Sequence, residues 1–159
     1  MIEFVIENGV LEKYTGNETK VVIPDSVIEI GDNAFSGCES LKEITIPDSV
    51  TVIGEYAFPY CLSLKEITIP DSVTVIGEGA FWVCKSLEEI TIPDSVKKIG
   101  RCAFYNCIFL KEITIPDSVT DIGDKVFSGC EDLVIKAPEN SFAQKYAEEN
   151  GMKFKVINR

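Results

Sequence analysis

Histidine is absent from the 159 residues, tryptophan occurs once and methionine twice. Without histidine the commonest general base near neutral pH is missing, and no catalytic triad containing one can be drawn. No phosphate-cradling or dinucleotide-binding glycine pattern appears either. Carboxylate pairs recur throughout by repetition, so none is distinguished, and the chain is expected not to be an enzyme and to need no cofactor. Basic residues are scarce, 15 against 26 acidic ones, for a formal net charge of −11. A surface that negative repels phosphate backbones and anionic lipid, so nucleic acid is not an expected partner. No apolar run approaches the length of a membrane span, which argues against membrane insertion. The opening Met1-Ile2-Glu3-Phe4-Val5 lacks the basic and apolar regions of a secretion signal. The chain is therefore either intracellular or one whose signal has been trimmed away.

What is present is repetition. The string Ile-Pro-Asp-Ser-Val begins at Ile23, Ile46, Ile69, Ile92 and Ile115, always 23 residues apart. A fixed period in that range marks a stacked repeat array. Full copies start at Leu41, Leu64, Leu87 and Leu110, and a degenerate one starts at Glu18. The spacing Leu41-x-x-Ile44-x-Ile46 is the strand core of a leucine-rich repeat. The remainder, from Ile46-Pro47-Asp48-Ser49-Val50 through Ile53-Gly54 and Ala57-Phe58 to Cys61, closely resembles the BspA-like leucine-rich repeats of bacterial and some protist surface proteins. The resemblance covers residues 18–132. It implies an α/β solenoid, a right-handed leucine-rich repeat stack with one short parallel strand per coil. It also implies a cell-surface or secreted adhesion module, whose partner is a protein such as a host matrix or surface protein. The readings that compete with adhesion are a self-associating structural element and an intracellular scaffold.

Each coil can be built from its fixed columns. Ile44 and Ile46 alternate with Glu43 and Thr45, turning the isoleucines inward. Pro47-Asp48 breaks the strand, because proline cannot donate to a ladder and suits a turn. Val50 and Ile53 return to the interior. Gly54, repeated at 31, 77, 100 and 123, serves either a backbone angle or a close contact that a side chain would block. Ala57, Phe58 and Cys61 are expected on the inner side of a short helical turn. Such a coil cannot bury its apolar face alone, so neighbours must stack. Residues 1–17 read as an N-terminal β-hairpin cap, with Ile2 to Ile6 and Val10 to Tyr14 joined through the favoured Asn8-Gly9 turn. Residues 18–132 hold five repeats. Residues 133–159 read as a C-terminal cap, a helix from Asn140-Ser141 to Glu149 followed by a strand from Met152 to Ile157. Ser141 and Gln144 have the spacing of a capping box. The three parts are expected to form one self-standing domain.

Two ladders invite chemical readings. Cys38, Cys61, Cys84, Cys107 and Cys130 share a column, but stacked side chains point in parallel rather than toward one another, which disfavours disulfides. With no histidine and no convergent ligands, a metal site is not expected, and buried apolar filler is the reading. Cys102 stands in a variable column with Asn33, Tyr56, Gly79 and Lys125, which points to an exposed thiol. The aspartates 25, 48, 71, 94 and 117 stack in register, as do Glu43, Glu66, Glu89 and Glu112. These form either a solvated structural ladder or a weak cation site.

The variable columns carry the sharpest functional signal. After the core phenylalanine, the outer copies read Ser36-Gly37 and Ser128-Gly129. The middle copies instead carry Pro59-Tyr60, Trp82-Val83 and Tyr105-Asn106. After the cysteine, Leu62, Ile108 and Phe109 replace the polar residues found at the ends, and Tyr56 joins them on the outward side of the turn. Tyrosine and tryptophan suit interfaces, and a contiguous exposed patch marks a partner site. The candidate protein contact is therefore Tyr56, Pro59, Tyr60, Leu62, Trp82, Val83, Tyr105, Ile108 and Phe109. The competing reading tucks the aliphatic members under the loop as additional core.

Overall fold

The computed structural model describes residues 3–159, so Ile2, the expected first strand residue, lies outside the described residues. The chain winds as a β-solenoid of stacked coils. A hairpin opens it, with β1 (Phe4–Glu7) and β2 (Val10–Tyr14) joined across Asn8-Gly9, both of which hold positive φ. The first coil carries β3 (Lys20–Val22) and β4 (Glu29–Ile30), and the second β5 (Glu43–Thr45) and β6 (Val52–Ile53). The third coil carries β7 (Val75–Ile76) alone. The fourth has β8 (Glu89–Thr91) and β9 (Lys98–Ile99), and the fifth β10 (Glu112–Thr114) and β11 (Asp121–Ile122). The chain closes with β12 (Val134–Pro138), α1 (Phe142–Glu149) and β13 (Lys153–Ile157).

Each regular coil thus contributes two short strands where one was expected. The second forms the longest sheet, in the order β1-β2-β4-β6-β7-β9-β11, all parallel except the hairpin. Ile53 is inward as expected, and the pairing of Val52 and Ile53 with Val75 and Ile76 makes a ladder two residues wide. The hairpin joins this second sheet, where Leu11 takes the register of Ile30. The leucine-rich strands form the other wall, β3-β5 and β8-β10-β12-β13, interrupted at residues 66–68. That gap includes Glu66 of the glutamate column. Glu43 meets Lys20 at 3.5 Å and Glu112 meets Lys136 at 2.8 Å, whereas Glu66 and Glu89 have no ion pair among the described residues. Like charges directly opposite on adjacent strands weaken pairing, yet β8 and β10 pair with Glu89 opposite Glu112, so like charge alone does not open the gap.

The turn between the two strands is the same in every coil. The proline carbonyl accepts from the valine N–H three residues on, as in Val50 to Pro47 and Val73 to Pro70, both at 3.1 Å. The expected helical turn at Ala57–Cys61 is not helical. Tyr56 (φ 49°) and Tyr60 (φ 59°) bracket it in the left-handed region, which a right-handed helix cannot contain. Among the described residues the single helix is α1. Ser141 caps it, its hydroxyl accepting from the Gln144 N–H at 3.1 Å, while Gln144 Oε1 reaches back to the Asn140 N–H at 2.6 Å. That is the anticipated box shifted by one residue on its return bond.

The interior is filled by repetition of the same side chains. Phe4, Tyr14, Phe35, Phe58, Phe81, Phe104, Phe127 and Tyr146 make one pile of rings, with successive centroids 4.9–6.2 Å apart. Both caps contribute rings to it, so the pile runs beyond the repeats themselves. Beside it runs the thiol column. Cys84, Cys107 and Cys130 each donate to the phenylalanine carbonyl of the preceding coil at 3.1 Å, and Cys61 does so at 3.4 Å. These cysteines are therefore both filler and weak inter-coil hydrogen-bond donors.

The glycine column settles its two readings. A Cβ on Gly77 would stand 2.7 Å from the Gly54 carbonyl carbon, and one on Gly100 would stand 2.5 Å from the Glu78 nitrogen. Neither residue has positive φ. Close approach of neighbouring backbones is what these positions require.

Candidate protein-binding surface

The variable residues sit on the turn that links the second sheet to the next leucine-rich strand. Two columns of this turn are left-handed in every coil. Asn33, Tyr56, Gly79, Cys102 and Lys125 form one, and Gly37, Tyr60, Val83, Asn106 and Gly129 the other. The first column's variety was read as a sign of exposure. Its common property is a backbone angle, and Cys102 is a correction to that reading, since its thiol is buried at 3 % exposure.

Three of the candidate rings come together. Trp82 lies on Tyr105 with centroids 4.1 Å apart and an interplanar angle of 11°, and Tyr56 tilts against Trp82 at 5.8 Å. Tyr56 can reach across because position 79 is glycine; any Cβ there would strike its ring. Burial, then the charges of Glu78 and Cys102, push the Tyr56 phenol up, so it stays a neutral hydrogen-bonding group. Around this row, Tyr60, Ile108 and Phe109 are 48 %, 42 % and 58 % exposed, and Leu62 is half-buried. Pro59 and Val83 depart from expectation, because both are buried and enlarge the core instead of the surface. Their side chains are drawn in where the backbones of neighbouring coils bond, the Val83 N–H to the Tyr105 carbonyl at 2.7 Å and the Gly37 N–H to the Pro59 carbonyl at 2.9 Å. The candidate set therefore divides into a half-buried ring row of Tyr56, Trp82 and Tyr105, the exposed Tyr60, Ile108 and Phe109 with half-buried Leu62, and the buried pair Pro59 and Val83.

The surface has an energetic signature that spacing alone did not reveal. Outer coils place Gly37 and Gly129 at the second left-handed position, where glycine costs nothing in sterics. The middle coils place Tyr60, the β-branched Val83 and Asn106 there, and the first two carry the strain, since asparagine tolerates this region. Backbone strain of this kind costs on the order of 1–3 kcal/mol per residue and clusters at functional sites. The second left-handed column could have been found from the recurrence of glycine and asparagine at Gly37, Asn106 and Gly129.

The other candidate chemistries are weaker. All six cysteines are free, and burial lifts the Cys38 thiol to about 11 and the Cys107 thiol well above its ordinary range. Neither is a ready nucleophile or ligand. The aspartate ladder is exposed throughout, and among the described residues no three acidic or sulfur side chains converge to hold a metal ion. No helix among them is long and apolar enough to cross a membrane.

Comparison with known proteins places this architecture. The solved T. pallidum leucine-rich repeat protein is 35 % identical, with a TM-score of 0.78 over 80 % of this chain and 62 % of its own. A leucine-rich cell surface protein from Faecalibacterium prausnitzii is 32 % identical with a TM-score of 0.57, over 84 % of this chain and 52 % of its own. The pneumococcal vaccine antigen PcpA, at 20 % identity, shares the fold, with a TM-score of 0.78 over 98 % of this chain and 46 % of its own. The chain therefore spans less than two thirds of each of these proteins. No curated protein sequence matches it. The sequence model of the BspA type leucine-rich repeat region matches residues 5–134 in six copies, so the chain belongs to the BspA-type leucine-rich repeat family.

Proposed function

We propose that this chain is a non-catalytic binding module that engages a protein partner at a cell surface, through the aromatic group of its middle coils. The observation that carries this reading is the coincidence of strain and bulk. Tyr56 and Tyr60 occupy left-handed positions beside the stacked Trp82 and Tyr105, while the outer coils hold glycine at the Tyr60 position. A stack that only needed to fold would be more stable with glycine or asparagine there. Large amphipathic rings with little side-chain entropy to lose are what dominate binding energy at protein interfaces. The similarity to a protein described as a leucine-rich cell surface protein supports the location.

Replacement of Tyr60, Trp82 and Tyr105 together by alanine tests the surface. Capture of host matrix proteins by the wild-type chain, lost in the triple variant, supports it. Consistent failure of the wild-type chain to retain any matrix or surface protein counts against it. Light scattering over a concentration series separates self-association, which alone predicts growth in mass without a partner.

A further inference from the structure

A second surface lies on the far side of the coil from the leucine-rich strands. A groove of about 690 Å³ runs along the outer face of β4, β6, β7, β9 and β11. Its floor is smooth because Gly54, Gly77, Gly100 and Gly123 bring backbone against backbone and leave no side chain standing in it. Val52 and Val75, both half-buried, add an apolar patch to that floor. The charges along it are ordered. Glu29, Asp32, Glu55 and Glu78 line the first three coils, Lys98 and Arg101 the fourth, and Asp121 and Asp124 the fifth. Asp32 is partly engaged, accepting from the Glu55 N–H at 2.9 Å, and Lys98 makes a loose pair with Asp121 at 3.9 Å. Among the described residues, no ion pair holds Glu29, Glu55 or Glu78, so there the acidic half is uncompensated.

We infer that this sheet face is a docking site for an extended peptide segment of a partner protein, bearing alternating basic and apolar side chains. It is separate from the aromatic surface. Dimensions and charge both select the occupant. The three acidic coils at ~4.8 Å span ~10 Å between their outer strands, the reach of about three extended residues at ~3.3 Å each, so the basic side chains belong to that half of the segment and not to the half over Lys98 and Arg101. Valine and the glycine strip meet the apolar side chains, and Glu29, Glu55 and Glu78 meet the basic ones. An anionic polymer is excluded by the same carboxylates and by the net charge of −11. A bare metal ion is a poor occupant, since the carboxylates form a row and do not converge.

Fluorescence anisotropy with two labelled hexapeptides, alternating valine–lysine and alternating valine–glutamate, tests the inference on the whole chain. The lysine peptide is expected to bind, less tightly as salt rises, and the glutamate peptide is not. Glu55→Lys with Glu78→Lys should weaken binding by about tenfold or more. Glu66→Lys with Glu89→Lys changes the net charge equally on the opposite wall and should shift affinity by less than about twofold. The Tyr60, Trp82 and Tyr105 alanine variant should bind the peptide as wild type does, which separates this site from the aromatic one. Equal binding of both peptides overturns the inference, as does no lysine-peptide binding at about 1 mM. Equal weakening by the two charge-reversal pairs overturns it too, because attraction would then follow net charge and not the groove.

Discussion

Gly100→Ala is the sharpest perturbation available, because one methyl group is added where two coils touch. The new carbon would stand 2.5 Å from the Glu78 nitrogen, 2.7 Å from the Gly77 carbonyl carbon and 3.0 Å from the Glu78 Cα. Ordinary contact between such atoms begins at about 3.5 Å, so the fourth coil must move away by roughly 1 Å. The obstacles are main chain, which cannot rotate aside. Gly100 N–H bonds to the Ile76 carbonyl and Lys97 N–H to the Thr74 carbonyl, both at 2.8 Å between the third and fourth coils, and these bonds lengthen first. Overpacking costs about 1–3 kcal/mol and a weakened hydrogen bond about 0.5–1.5 kcal/mol. The stiffer unfolded chain returns about 0.4–1 kcal/mol. The net loss is on the order of 2–3 kcal/mol, which lowers Tm by about 4–12 °C in a protein of this size. Urea and thermal unfolding followed by circular dichroism measure it. Gly37→Asn is the control, since nothing lies within 4 Å of that position and asparagine tolerates its φ of 70°. A Gly100→Ala protein as stable as wild type would refute the close-approach account of the whole glycine column.

The remaining predictions follow from the ladders and the strained turn. Burial holds the Cys38 thiol at about 11, above its ordinary 9.0, so between those values the unfolded chain sheds a proton that the native one keeps. Stability should therefore fall as pH rises from about 9 to 11, and titration of unfolding against pH in Cys38→Ala should show a shallower fall. Glu66→Lys places a cation between Glu43 and Glu89 and should stabilise the chain by up to about 1 kcal/mol at low salt, shrinking as salt is added. Tyr60→Gly removes an exposed ring and relieves a left-handed residue. It should leave Tm unchanged or raise it by about the equivalent of 1 kcal/mol while reducing partner capture. A large loss of stability in that variant would return Tyr60 to the core.

Periodicity made the stack legible because a 23-residue spacing of apolar columns has few physical solutions. The capping box, the hairpin turn and the inward isoleucines were likewise readable, each depending on local chemistry at a known offset. The second strand column was not, since a ladder two residues wide leaves no run of alternation to detect. Nor was the non-helical turn. The Ala57, Phe58 and Cys61 spacing fits a helical face, and only the backbone angles at Tyr56 and Tyr60 overrule it. Cys102 misled for a related reason. A column holding Asn, Tyr, Gly, Cys and Lys looks like tolerance of any side chain, yet it reports tolerance of one backbone angle. At the candidate surface the aromatic members were visible as departures from the outer copies. Whether each aliphatic member faced out or in depended on neighbouring coils, and Pro59 and Val83 turned inward.

The ring pile has a mechanical consequence. Every fastening along it joins one coil only to the next, ring to ring, thiol to carbonyl and glycine to glycine. Tension applied to the two ends therefore meets a series of similar latches and no single lock. Each latch that gives way frees one 23-residue length of chain, about 75–80 Å when drawn out. Under load such a rod lengthens in equal increments and dissipates work at each one, behaving as a ratcheted shock absorber.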